Sequence, residues 1–250
     1  MHVTTSVNQS EGPLGIPSGS AKLAHTEDRT DQEIIASILE PKPVTSEKNV
    51  WAFWNTGFES MRSWSQRNVI GWVRLLGPEW TVRILDCCPG SPTNIFNYLD
   101  ATQPPKCLAE SKMEGKYSGQ HASDIVRLPL IYEHGGVWLD VGIMLFMHLD
   151  DMCWKQLESP RSRYEVALAS ADPSLVAGLA ENFFLAARKG NRFVHRWMRI
   201  FFEVWKDRAT CDGIHAHPLF QHLVSDSNIA RFLQGQDGAK LDYFGAYLAY

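Results

Sequence analysis

The sequence predicts an α/β fold built on a mostly parallel central sheet, and three observations carry that expectation. Short apolar runs alternate with segments of helical spacing in the order strand, helix, strand, helix, which is the pattern of a parallel sheet with right-handed crossovers. Apolar and aromatic residues make up 44% of the 250 residues, enough for one large domain with a sizeable core. The stretch Ser123 to Leu145, SDIVRLPLIYEHGGVWLDVGIML, breaks a helical segment at Gly135-Gly136 and then runs a short apolar strand into Asp140.

The elements follow in order. Residues 1–29 are polar and rich in Ser, Thr, Gly and Pro; they cannot bury enough apolar surface to order themselves, so a disordered leader is expected. Residues 30–48 read as a short helix and a linker. Thr30 and Glu33 fit a capping box, Ile34, Ile35 and Ile38 form the apolar stripe, and Pro41 and Pro43 stop it. The main domain is expected over 49–250. NVWAFWNTG reads as its first strand, with Trp51, Phe53 and Trp54 for the core and Gly57 as the turn. Met61, Trp64, Val69, Trp72, Val73 and Leu76 give 58–76 helical spacing, ended by Gly77-Pro78. Residues 80–88 read as the second strand, and 92–100 as a helix with Pro in its first turn.

Residues 101–119 are loop-like, and a helix is expected from Ser123, with Pro129 kinking it. Strands are expected at 137–140 and 143–147, and a helix at 149–157. There Asp150-Asp151 suits the positive end of the helix. Strands follow at 164–170 and 182–188. The plainest helix is 191–207, with Val194, Trp197, Phe201 and Val204 on one face. The apolar ending DYFGAYLAY reads as though more of the domain follows it.

Charge and cysteine usage narrow the class. A net charge of -4 argues against a nucleic-acid or anionic-membrane binder, which needs a basic surface. The five cysteines are an odd number without a C-x-x-C pair, and read as thiols in a reducing compartment. No run approaches the roughly 18 apolar residues of a membrane span, and the N-terminus lacks the order of a signal peptide. No transmembrane segment and a cytoplasmic location are therefore expected.

Asp124 and Arg127 stand three residues apart, near neighbours on a helix. Such a pair is either a surface ion pair contributing about 0–1 kcal/mol or part of a site. Asp140 falls at the C-terminal end of a strand, where open α/β sheets bind ligands; the alternative is a strand-end cap. Motifs for dinucleotides, the P-loop, the nucleophile elbow and zinc proteases are absent.

S-D-x-x-R followed by G-G-V-W-L-D resembles the sugar-binding region of the DXD-containing glycosyltransferases. Within them it is similar to the branch of capsular polysaccharide synthesis proteins, which has fungal members. The aromatic first strand VWAFWNTG and the segment Asn182 to Asn191, NFFLAARKGN, resemble other parts of that branch. The resemblance thus spans roughly Asn49 to Leu223. It implies a GT-A type, Rossmann-like nucleotide-sugar-binding domain, and a glycosyltransferase that moves a sugar from a nucleotide-diphosphate-sugar donor to a hydroxyl acceptor, with retention at the anomeric carbon. A polysaccharide, a glycolipid or a small metabolite fits as acceptor.

By the same resemblance, Asp124 and Arg127 would hold donor-sugar hydroxyls, the carboxylate accepting and the guanidinium donating. Asp140 would be the first Asp of the DXD motif, and with those two it forms the expected catalytic set. Trp51 or Trp54 would border the base, unless they are core. The third DXD position is Gly142, so a divalent ion on the diphosphate, Mn²⁺ or Mg²⁺, loses one protein ligand beside Asp140. Asp212, His215 and His217, in CDGIHAHPLF, are candidates to compensate; the alternative is a set of hydrogen-bonded loop residues. Gly142 also motivates a second class, a non-catalytic nucleotide-sugar-binding protein of the same fold. A metal-dependent hydrolase built on Asp140 and the late histidines lacks the usual paired ligand spacing.

Overall fold

The computed structural model describes residues 27–170, 180–225 and 238–249. Most of the expected leader lies outside the described residues. The first element, helix α1 (Asp31–Leu39), forms as the sequence dictates. Thr30 Oγ1 accepts from the Glu33 N–H while the Glu33 carboxylate accepts from the Thr30 N–H, closing a capping box. Ile34 and Ile38 are its buried stripe.

The strands are β1 (Asn49–Phe53), β2 (Thr81–Leu85), β3 (Gly136–Leu139), β4 (Val166–Ser170) and β5 (Ala180–Ala187), in the spatial order β2-β1-β3-β5-β4. β1 pairs in parallel with β2 and with β3. β5 runs antiparallel to both β3 and β4. The sheet is therefore mixed, and the expectation of a mostly parallel sheet holds for its first three strands only. An antiparallel β4–β5 hairpin completes the edge.

Side-chain alternation splits the core into two layers. Trp51 and Phe53 of β1 and Trp138 of β3 face one side, where helices α4 (Ser118–His134) and α6 (Arg192–Trp205) cover them. Val50, Ala52, Val137 and Leu139 face the other, under α1 and α2 (Ser63–Leu76). The helix of 191–207 is confirmed as α6, with Val194, Trp197, Phe201 and Val204 buried and Asn191 as its cap. The short helices α3 (Lys106–Ala109) and α5 (Lys155–Glu158) precede and follow α4 in the chain, and α4 itself starts five residues before Ser123 and runs unbroken through Pro129. No helix among the described residues is long and apolar enough to cross a membrane. All five cysteines are free thiols, and burial pushes Cys87 up to about 12.

Two expected elements do not form. Residues 92–100 hold only a short turn of helix at Ile95–Asn97. The Asp86 carboxylate gathers Ser91, Thr93 and the Cys88 N–H, and Asn94 caps Phe96, so local side-chain bonds take over the groups a longer helix would use. The apolar run 143–147 is not a strand. It is laid against α2, whose Asn68 and Trp72 side chains donate to the Val141 and Ile143 carbonyls, and it leaves Met144, Phe146 and Met147 exposed.

Candidate active site

The site forms where α4 and β3 meet on one face of the sheet. His121, Asp124 and Arg127 follow each other at i, i+3 spacing on α4, and all three are buried. Gly135 and Gly136 then turn the chain into β3 with φ of +68° and +109°, a region glycine enters without strain. A Cβ on Gly136 would fall against the Asn49 carbonyl oxygen of β1, so this glycine also permits the close approach of the two strands. Alternation along the extended chain then puts Trp138 and Asp140 on the α4 side.

The result is a row of alternating charge. One Arg127 nitrogen, Nη2, lies 2.8 Å from Asp124 Oδ1 and 3.5 Å from Asp140 Oδ1. Its Nε donates to the Ser123 carbonyl, its Nη1 to the Asn182 carbonyl of β5, and its Cζ lies over the Trp138 ring, 5.0 Å from the centroid. Asn182 returns a bond from Nδ2 to Asp124 Oδ1 at 3.0 Å. Behind Asp124, His121 Nδ1 stands 3.7 Å from Asp124 Oδ2. Trp138 Nε1 donates to Asp140 Oδ1 at 2.8 Å.

Asp124, Arg127, Asp140 and Asn182 form the floor of an open pocket of about 590 Å³, walled by Trp54, Trp64, Lys116 and Tyr243 among others. Asp140 differs from its neighbours: its side chain is 41% exposed, whereas those of Asp124 and Arg127 are 12% and 3% exposed. Its Oδ2 has no hydrogen-bond partner among the described residues. The protein packed around the recess raises its carboxyl above the usual carboxylate range. Arg127 and the Trp138 N–H pull the other way, and Asp124 adds to the rise. Asp140 therefore has an oxygen to offer a ligand, while Arg127 has every nitrogen engaged within the protein and holds the two carboxylates in place.

Of the expected residues, the structure brings Asp124, Arg127, Asp140 and Trp54 to one pocket. Trp51 is not there. It is fully buried in the core, its Nε1 on the Gly135 carbonyl at 2.9 Å, because β1 turns it under α4. The proposed metal set does not assemble. Asp212 accepts from Thr210, His215 Nδ1 pairs with Asp242 Oδ1 at 2.6 Å, and His217 Nδ1 accepts from the Leu219 N–H. None of the three lines the pocket. No group of three or more His, Cys, Asp or Glu suited to a metal occurs among the described residues. Asp124, the other carboxylate on the floor, is taken by Arg127 and Asn182. Among the described residues, the pocket thus offers a divalent ion one free carboxylate oxygen, on Asp140, and no second carboxylate or imidazole left free beside it.

Sequence reasoning missed Asn182, Trp138 and Tyr243 as site residues. Asn182 arrives on an antiparallel strand whose pairing with β3 nothing local encodes, although it opens the NFFLAARKGN segment. Trp138 reads as an ordinary core residue of an apolar strand.

A mixed α/β sheet thus carries a carboxylate–guanidinium pocket at the C-terminal end of a parallel strand, the position at which open α/β sheets take small ligands. The family model for "capsular polysaccharide synthesis protein" matches residues 22–237, and the chain belongs to that family. It is 45% identical over 212 residues to the O-glycosyltransferase braB of Annulohypoxylon truncatum, covering 84% of this chain and 50% of that protein. It is 43% identical over 196 residues to the glycosyltransferase afumC of Aspergillus fumigatus, covering 78% and 50%. With the O-glycosyltransferase PaGT of Phomopsis amygdali it shares 39% identity over 225 residues, covering 87% and 54%. The chain therefore spans about half the length of the curated relatives it matches. Among solved structures, the PaToxG glycosyltransferase has a similar fold, with a TM-score of 0.50 at 14% identity over 88% of this chain and 91% of that one.

Proposed function

We propose that this chain carries the donor site of a glycosyltransferase of GT-A type, which moves a sugar from a nucleotide-diphosphate-sugar donor to a hydroxyl acceptor. One observation carries the reading: in a member of this family, Asp124 and Asp140 share one Arg127 nitrogen on the floor of an open pocket. A sugar presents several hydroxyl donors, and a carboxylate oxygen without a protein partner is a natural acceptor for them. Asp140 meets the sugar or ribose hydroxyls. Asp124 and Arg127 set its position, and orientation of this kind supplies a substantial share of catalysis.

In the proposed transfer the acceptor oxygen bonds to the anomeric carbon as the bond to the diphosphate breaks. The acceptor proton passes to the departing phosphate oxygen, with retention when both events share one face of the ring. A second reading, donor binding without turnover, is favoured by Gly142 at the third DXD position.

The test is transfer from a panel of UDP- and GDP-sugars, followed by mass spectrometry, together with donor hydrolysis. Asp140→Asn and Asp124→Asn should each lower kcat/KM at least about 100-fold while leaving the circular dichroism spectrum unchanged. Wild-type activity in both variants would remove the site assignment, and donor binding with neither transfer nor hydrolysis would favour the second reading.

A further inference from the structure

Helices α2 (14 residues) and α4 (17 residues) both begin at the pocket. Arg62, Trp64 and Ser65 line it from the start of α2, and Lys116, Ser118 and Gly119 from the start of α4. Neither start has a side-chain cap, and neither first turn holds an acidic residue. The leading N–H groups and the positive ends of both helices thus go without the anionic partner that helix starts commonly recruit.

Ser65 adds an independent sign. It is 1% exposed, and its Oγ has no hydrogen-bond partner among the described residues although it borders the pocket. A buried hydroxyl left this way is costly unless a ligand engages it. Arg62 and Lys116 are exposed at the same rim, and neither forms an ion pair with a carboxylate among the described residues. Lys116 Nζ rests only over the Tyr117 ring, at 5.1 Å. The pocket is therefore divided: carboxylates on the floor toward β3, cations and helix starts along the rim.

We infer that this rim is a metal-independent clamp for the donor's diphosphate, with Arg62, Lys116 and Ser65 as its side chains and the first turns of α2 and α4 as its backbone donors. The inference rests on the donor-site reading given under Proposed function. The clamp meets the diphosphate charge that a metal ion would otherwise offset, where Gly142 supplies no carboxylate to hold one. Helix starts and cations bind phosphate oxygens directly, and stabilise the negative charge that grows on the diphosphate as the glycosidic bond breaks. The sugar then lies over Asp140.

The experiment is calorimetric titration of the chain with UDP, GDP, uridine, guanosine and inorganic pyrophosphate, once in EDTA and once in Mn²⁺, with donor transfer measured alongside. At least one nucleoside diphosphate should bind in EDTA at least about tenfold tighter than its nucleoside. Arg62→Ala and Lys116→Ala should each weaken that binding about tenfold without changing nucleoside affinity. Arg62→Lys should recover part of the loss, and Arg199→Ala, a cation on α6 outside this pocket, should match the wild type. Diphosphate binding that appears only with Mn²⁺, or variants that bind as the wild type does, would overturn the clamp and leave the transferase reading intact. If neither the diphosphates nor any donor bind in any condition, the donor-site reading falls and the clamp with it.

Discussion

Trp138 Nε1 donates to Asp140 Oδ1 at 2.8 Å, so strand β3 delivers both the carboxylate and the group that orients it. The indole is fully buried and also carries the Arg127 guanidinium on its face. One oxygen of Asp140 is thereby fixed and the other is left for a ligand. Trp138→Phe keeps most of the ring and removes the N–H. A hydrogen bond to a charged group contributes about 1.5–3 kcal/mol, so urea unfolding should show a loss of that order. kcat/KM should fall about tenfold or more as Asp140 loses its orientation. Unchanged stability and turnover would mean that Asp140 is held by Arg127 alone.

Arg127 is the single cation between two carboxylates, and its own side chain is only 3% exposed. Arg127→Met should leave Asp124 buried without a counter-charge, lowering stability by about 3–5 kcal/mol. Arg127→Lys should not restore it, because one ammonium cannot reach Ser123, Asn182 and both carboxylates at once. Adding Asp124→Asn to Arg127→Met should recover part of the stability and none of the activity. Chemical denaturation of the four proteins decides this; a stable Arg127→Met would show that the pair is peripheral.

The parts of this arrangement that are local could be read from the residues. The capping box of α1, the face of α6 and the Asp124/Arg127/Gly135-Gly136/Asp140 series depend on spacing within one or two elements, and the structure bears out their placement. What could not be read depends on tertiary partners. Asn182 joins the site only through the antiparallel pairing of β5 with β3. Trp51 and Trp54 are three residues apart in one aromatic run, yet one is core and the other lines the pocket, because β1 ends at Phe53. Residues 143–147 have strand composition, but the Ile143 N–H turns back to the Asp140 carbonyl and the Ile143 carbonyl is taken by the Trp72 side chain of α2. Asp212, His215 and His217 look like ligands by type, while their hydrogen bonds run to Thr210, Asp242 and Leu219.

Gly136 carries the tightest backbone approach of the site. With φ at +109° and the Asn49 carbonyl oxygen where a Cβ would stand, Gly136→Ala meets both conformational strain and a backbone clash. Strain of this kind costs on the order of 1–3 kcal/mol, and the clash would part β3 from β1. The variant should lose at least about 3 kcal/mol in urea unfolding, and any folded fraction should transfer poorly because Asp140 moves with its strand. Wild-type stability in Gly136→Ala would show that the strands can separate without cost.

Glu47, in the linker before β1, ties the start of the sheet to the end of β5. It takes two bonds from Arg188, at 2.9 and 2.7 Å, and one from the Lys189 N–H at 2.7 Å. The Arg188 guanidinium holds its carboxyl below the ordinary value of 4.5; partial burial opposes this, and the Lys189 N–H adds to the lowering. The folded protein therefore binds fewer protons at Glu47 than the unfolded chain as pH falls past 4.5, and stability drops with it. The contribution is fully present above the unfolded value and is lost as the pH passes down through the folded one. Because the Arg188 side chain is 42% exposed, solvent screens the pair and the expected contribution is about 1 kcal/mol. Glu47→Gln should thus be about 1 kcal/mol less stable than the wild type at pH 7, with the gap closing below about pH 4.5. Urea midpoints at pH 7, 5, 4 and 3 measure it. A gap that stays constant across that range would assign the contribution to hydrogen-bond geometry and not to the charge on Glu47.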